Sequence, residues 1–164
     1  MNIFEKYFAA VTAVISFIIY LFTVAPSVVQ IDSGELAAVQ STLGIAHPTG
    51  YPLFTILGYL FSLVPLPFSK IYQLNLLAAI YCSIGVGIFT YTAKLVLDNF
   101  DKFSTKKIAA NKNLSKKSKK LKEEKSENKN QVSENVKYIS ASFGGLALAF
   151  SKTFWFQSTS VEVY

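Results

Sequence analysis

Residues 25–51 read APSVVQIDSGELAAVQSTLGIAHPTGY. Asp32 and Glu35 are the only acids between Glu5 and Asp98, and His47 is the only histidine in the chain. The stretch follows an uncharged run from Tyr7 to Ile31. Carboxylates placed directly beyond a membrane helix are costly to keep there without a use. The pattern points to an active-site loop on the far side of a membrane. A structural alternative exists for both acids. Asp at an N-cap with Glu three residues on is a capping-box-like pattern, which would open a helix over 33–43 that Gly44 stops. A lone histidine before proline equally serves as a structural hydrogen-bonding residue.

Working outward from this loop, the run before it is long enough to span a hydrocarbon core of about 30 Å. A secretory signal has a shorter apolar region, about 7–15 residues, and a small-residue cleavage site. Here Pro26 follows Ala25 where cleavage would fall. The expectation is an uncleaved first transmembrane helix over 1–25, ended by Pro26. After the loop, Pro52 suits the first position of a second short helix, where its missing N–H costs nothing. Leu53 to Val64 is apolar and closes at Pro65 and Pro67. At 1.5 Å per residue that helix reaches only about 20 Å, too short to cross. Phe54, Tyr59 and Phe61 on it read as interfacial anchors.

Ile71 to Ala93 is uncharged again and contains Ala78, Ala79, Ser83, Gly85 and Gly87. Small residues let helices approach closely in lipid. The expected second transmembrane helix covers 71–97, with Lys94 snorkelling at its end. A polar tract over 98–137 follows, expected to be disordered or loosely helical. An apolar run over 138–157 is the expected third span, and 158–164 an outside segment.

The chain is 51% hydrophobic and 15% aromatic, which favours an integral membrane class over a soluble domain. Its net charge of +6 sets 16 basic residues, all Lys, against 10 acids, and twelve of the lysines lie between Lys102 and Lys137. A tract without Arg or interleaved aromatics is a poor nucleic-acid surface, so no nucleic-acid partner is expected. Lys-rich loops stay in the cytoplasm. Lys6 and the tract then share one side, and an even number of crossings separates them. Two crossings satisfy this only if the 53–64 helix lies along the membrane, which agrees with its length. Residues 26–70 become one outside loop with two membrane-parallel helices. On this topology the sequon Asn113-Leu-Ser115 faces the cytoplasm and stays unmodified. Cys82, alone in an apolar run, is a packing residue and excludes a disulfide framework.

Four pieces carry a resemblance: D-S-G-E at Asp32–Glu35, L-G-I-A-H-P-T-G-Y-P at Leu43–Pro52, N-L-L-A-A at Asn75–Ala79, and L-A-F-S-K-T-F-W-F-Q with V-E-V-Y between Leu148 and Tyr164. Together they resemble the start of the GT-C superfamily of lipid-linked glycosyltransferases. They are closest in pattern to the transmembrane O-mannosyltransferase family that acts on immunoglobulin-like (IPT) domains of plexins and related receptors. The resemblance implies an all-α integral membrane fold, a GT-C-like N-terminal portion with three transmembrane helices and two short interfacial helices in the first outside loop. It implies inverting transfer of a sugar, mannose in the nearest relatives, from a polyprenyl-phosphate donor to a protein hydroxyl. Asp32 is implied as the catalytic base and Glu35 as a second catalytic acid, orienting the acceptor or holding a divalent metal as some such enzymes do. His47, Tyr51, Glu162 and Tyr164 are implied as substrate-binding residues. Lys70 and Lys152 are the outside-facing candidates to meet the leaving phosphate. Multi-pass placement follows, in the plasma membrane of a bacterium or the endoplasmic reticulum of a eukaryote.

Enzymes of this superfamily have more spans than three, so the chain reads as the N-terminal piece of a longer enzyme, inactive alone. The competing reading is a non-enzymatic membrane scaffold whose Lys tract binds anionic lipid or an acidic partner.

Overall fold

The uncharged run that begins at Ile71 forms the interior of one long helix, and the other elements are arranged along it. A computed structural model describes residues 3–29, 31–48, 50–109 and 133–162. All regular structure among them is helical: α1 Ile3–Leu21, α2 Ile31–Thr42, α3 Pro52–Ser62, α4 Lys70–Ala109, α5 Glu134–Ala149 and α6 Lys152–Thr159. The centre of the Lys tract with its sequon, and Tyr164, lie outside the described residues.

Helices α1, α5 and α6 pack along α4, while α2 and α3 pack on each other and on the beginning of α4. Two apolar clusters result. Tyr20, Val24, Ala79, Val86 and Ala149 form one, with Cys82, Phe154 and Trp155 packed against it. Leu36, Ala37, Val39, Ala46, Leu74, Leu77 and Val161 form the other, beneath the acidic loop. Phe54 and Phe61, partly buried, pack against this second cluster. Leu53, Ile56, Leu57 and Leu60 are the residues α3 exposes.

Small residues set the helix spacing. A Cβ at Gly87 would stand 3.1 Å from the Ala13 Cβ on α1, and one at Gly145 of α5 would collide with the Thr90 side chain. The faces turned away from these contacts stay apolar, with Val14, Ile88 and Phe143 all exposed. In water such faces would be unfavourable; against lipid they are not.

Among the described residues, one helix is long and apolar enough to cross a membrane, over Lys70–Phe100. Tyr7–Leu21 and Pro52–Ser62 are shorter apolar helices. Three boundaries differ from the sequence-based expectation. First, α1 ends at Leu21, before Pro26 is reached. The Phe22 and Thr23 N–H groups turn back to Ile19 and Tyr20, and the Ala25 N–H bonds the Thr159 carbonyl at 2.9 Å instead of continuing the helix.

Second, the 138–157 run is two helices. Phe150 leaves helical geometry and Ser151 is extended. The Ser151 hydroxyl donates back to the Leu148 carbonyl at 2.8 Å, a local bond that competes with helix continuation. The Tyr20 hydroxyl donates to the buried Ala149 carbonyl at 2.9 Å, satisfying an acceptor the break sets free.

Third, the helix expected to end at residue 97 continues over 98–109, and α5 starts at Glu134, within the tract expected to be disordered or loosely helical. Lys94 is buried rather than snorkelling. Its ammonium meets Asp98 Oδ1 at 2.6 Å and Glu134 Oε2 at 3.0 Å, and lies 4.3 Å from the Tyr138 ring centroid. Lys137 joins the network through Glu134 Oε1 at 2.7 Å. Opposite charges spaced four apart on α4, with partners on α5, extend both helices past the expected boundaries.

Candidate active site

Asp32 lies in the first turn of α2. Because the helix opens at Ile31, Asp32 is inside it and not its N-cap; its carboxylate complements the positive helix end. The Ser33 hydroxyl, one residue on, accepts the Val29 N–H at 3.3 Å.

Glu35 does not close a capping box. Its Oε1 accepts the His47 backbone N–H at 2.9 Å and stands 3.2 Å from His47 Nδ1. These two bonds hold the Glu35 carboxyl below its ordinary value, and the nearby Asp32 charge opposes them slightly. The loop they fix is tightly wound. The Gly44 N–H bonds Val39 and the Gly50 N–H bonds His47, at 2.9 and 2.8 Å. Gly50 has φ +83°, where glycine alone is at ease, and Tyr51 follows at φ 41°. An aromatic residue in the left-handed region is uncommon and carries strain. Tyr51 immediately precedes α3, with Pro52 at the first helical position. Its ring meets the His47 ring edge-on at 5.7 Å. Glu35, His47 and Tyr51 are therefore one contiguous set.

Glu162 lies far from these residues in sequence, just after α6. It is 7% exposed, and neither carboxylate oxygen has a hydrogen-bond partner among the described residues. Burial raises its affinity for a proton, and the Asp32 charge adds to this. Asp32 thus lies within electrostatic reach of both Glu35 and Glu162.

The residue that ties the segment before α2 to the segment after α6 is Asn75, fully buried in α4. Its Nδ2 donates to the Ala25 carbonyl at 2.9 Å and its Oδ1 accepts the Val161 N–H at 2.9 Å. Sequence reasoning gave Asn75 no role. The signal was a carboxamide inside an apolar run, within the N-L-L-A-A piece.

The two candidate cations are placed differently. The Lys70 ammonium donates to the Ser62 carbonyl, closing the C-terminal end of α3. Lys152 starts α6 and is exposed, roughly 10 Å along the helix from Thr159. No three His, Cys, Asp or Glu side chains among the described residues form a metal-binding group. An apolar cavity of about 380 Å³ opens beside Tyr51, lined also by Pro52, Leu53, Phe54, Leu57 and Tyr81.

The family model for the protein O-mannosyl-transferase TMEM260 N-terminal domain matches residues 32–164, from Asp32 onward. A protein O-mannosyl-transferase tmem260 of Dictyostelium discoideum is 60% identical over 45 residues, 27% of this chain and 6% of the relative. Protein O-mannosyl-transferase TMEM260 of Mus musculus is 38% identical over 86 residues, 52% of this chain and 11% of the relative. The aligned region is thus a small part of either curated relative. No solved structure matches. With the family model covering most of its length, the chain belongs to the TMEM260 N-terminal domain family.

Proposed function

We propose that this chain forms the acidic outside part of a membrane O-mannosyltransferase, with Asp32 as the general base. The observation that supports it best is that Glu35 is bonded to His47 while the Asp32 charge is felt at both Glu35 and the buried, sequence-distant Glu162. The family name speaks of protein O-mannosyl transfer, which supports reading these acids as a transfer site.

In this reading α1, α4 and the α5–α6 pair cross the membrane. The Lys tract is cytoplasmic, and α2 and α3 lie along the outer surface. A serine or threonine hydroxyl of the acceptor protein is a poor nucleophile. A carboxylate within hydrogen-bond reach takes its proton as the oxygen attacks the anomeric carbon. The bond from that carbon to the phosphate oxygen breaks from the opposite face, so configuration inverts. A phosphate leaves without needing a general acid, although its charge needs a cation or dipoles nearby. Glu35 keeps His47 and Tyr51 in place beside the base, and Glu162 offers a carboxyl group to a substrate hydroxyl. The polyprenyl chain of the donor would lie in the apolar cavity beside Tyr51, leading from the acids towards the membrane helix.

The test uses the full reading frame that contains this chain. Wild type and Asp32→Asn are compared for mannosyl transfer from polyprenyl-phosphate mannose to a folded acceptor domain. Asn keeps the shape and the helix start but cannot take the proton. Transfer should fall about 100- to 10,000-fold at unchanged expression. Equal transfer by both proteins would return Asp32 to a helix-start role. No transfer by either, with several sugar donors, would favour a non-enzymatic scaffold.

A further inference from the structure

Asn75 sits on α4 with no exposed surface. A buried carboxamide must find partners for its donors and acceptor. This one finds them all in backbone, on two segments remote from it in sequence. Nδ2 donates to Ala25 at 2.9 Å and to Ser27 at 3.4 Å. Oδ1 accepts the N–H of Val161 at 2.9 Å. The first segment runs directly into α2, which carries Asp32. The second ends in Glu162. The Ala25 N–H to Thr159 bond joins the same two segments alongside.

Gln73, two residues earlier and equally buried, provides a contrast. Its Nε2 also bonds two backbone carbonyls, Phe61 at 2.6 Å and Val64 at 3.0 Å. Those belong to the end of α3, away from the acids. Two buried amides on one helix therefore make similar bonds with different consequences. One anchors a helix end. The other holds two carboxylate-bearing segments against each other.

We propose that Asn75 is a positioning residue of the acidic site, setting Glu162 against Asp32. The proposal rests on the reading of Asp32 as the base and adds the residue that fixes its surroundings. Without Asn75 the 160–162 segment loses its anchor, Glu162 moves towards water, and the acceptor no longer meets Asp32 in a productive geometry. A displacement of about 1 Å at such a site costs about 100-fold in rate.

The experiment uses the full-length protein with Asn75→Ala and, as a stability-matched comparison, Gln73→Ala. One readout is the split between kcat and KM in mannosyl transfer. The other is the titration of Glu162, followed by infrared absorption of ¹³C-labelled glutamate carboxyl groups and assigned with Glu162→Gln. Asn75→Ala should lower kcat about 100-fold with KM little changed. It should also bring the Glu162 titration down towards an ordinary glutamate. Gln73→Ala should leave that titration in place. Should Asn75→Ala not yield folded protein, Asn75→Thr keeps one donor and one acceptor at the same depth and serves both readouts. An unchanged kcat, or an unmoved Glu162 titration, in folded variant protein overturns the proposal. If wild type transfers no mannose, the functional reading fails, and the Glu162 titration alone still decides the role of Asn75.

Discussion

Glu35 holds His47 at two points, taking its backbone N–H at 2.9 Å and standing 3.2 Å from its ring nitrogen. One carboxylate thereby fixes both the path of the loop and the orientation of the imidazole, and through the ring contact it fixes Tyr51. Glu35→Gln retains an acceptor for the N–H but loses the charge beside the ring. Glu35→Ala loses both. Transfer should therefore fall in the order wild type, Gln, Ala, with Ala lower by about 10- to 100-fold if the loop orients substrate.

The same pair gives a pH dependence of defined sign. The Glu35 carboxyl is held below its ordinary value of 4.5 by the bonds from His47. A depressed carboxyl contributes stability that is complete above the unfolded value and is lost as pH falls through the folded one. Hydrogen exchange at the His47 amide should accelerate, relative to an unstructured reference at the same pH, only on acidification below about pH 4.5. In Glu35→Gln this acid-dependent opening should be absent. Opening at the same pH in both proteins would show that another group holds the loop.

Glu162 has the opposite sign. Burial and the Asp32 charge raise its proton affinity. The folded state then binds the proton more tightly than the unfolded one. Its contribution to stability is most favourable in acid and is lost as pH rises from about 4.5 through the raised value. Glu162→Gln removes that penalty while preserving shape. The variant should melt a few degrees above wild type at pH 8 and show no gain at pH 4. Its transfer rate should be lower at both. A residue kept at a cost to stability is expected where function requires it.

The local parts of this molecule were legible in the sequence, and the long-range ones were not. Asp32, Glu35, His47 and Tyr51 lie within twenty residues of one another, so turn chemistry and charge rarity suffice to group them. The break at Phe150–Ser151 was invisible because hydropathy runs straight through it. The hydroxyl that accommodates it belongs to Tyr20, 129 residues away. Asn75 was hidden for the same reason, since its partners lie 50 and 86 residues off. For the Lys tract, composition left disorder and loose helix both open, because Lys94, Asp98, Glu134 and Lys137 neutralise one another only once α4 and α5 are side by side.

Two adjacent glycines of α5 should respond in opposite ways to alanine. A Cβ at Gly144 would reach only the Phe89 ring edge, at 4.0 Å, an ordinary contact. One at Gly145 would overlap the buried Thr90 side chain of α4 and come within 3.3 Å of the Thr12 methyl group. Thr90 has little room to yield, because its hydroxyl already donates to the Val86 carbonyl at 2.8 Å. Gly145→Ala should destabilise by about 1–3 kcal/mol through overpacking. Gly144→Ala should be neutral or stabilising by up to about 1 kcal/mol, the helix-propensity gain of alanine. Thermal unfolding in detergent, with both variants measured side by side, separates them.

The Tyr20 hydroxyl offers a cleaner deletion. Tyr20 and Ala149 are both fully buried, and the hydroxyl is 2.9 Å from the Ala149 carbonyl. Tyr20→Phe keeps the ring, its edge-on contact with Trp155 at 5.8 Å, and the packing volume. It strands a carbonyl at the point where α5 ends. The cost of leaving a buried acceptor unpaired is about 1–3 kcal/mol. The loss should be local. Hydrogen exchange should quicken in α6 and at the Ala25 amide, whose partner is the Thr159 carbonyl at the end of α6. Amides in the middle of α4 should be protected as before. Uniform acceleration throughout the chain would instead assign Tyr20 to global packing and detach the break from the placement of Glu162.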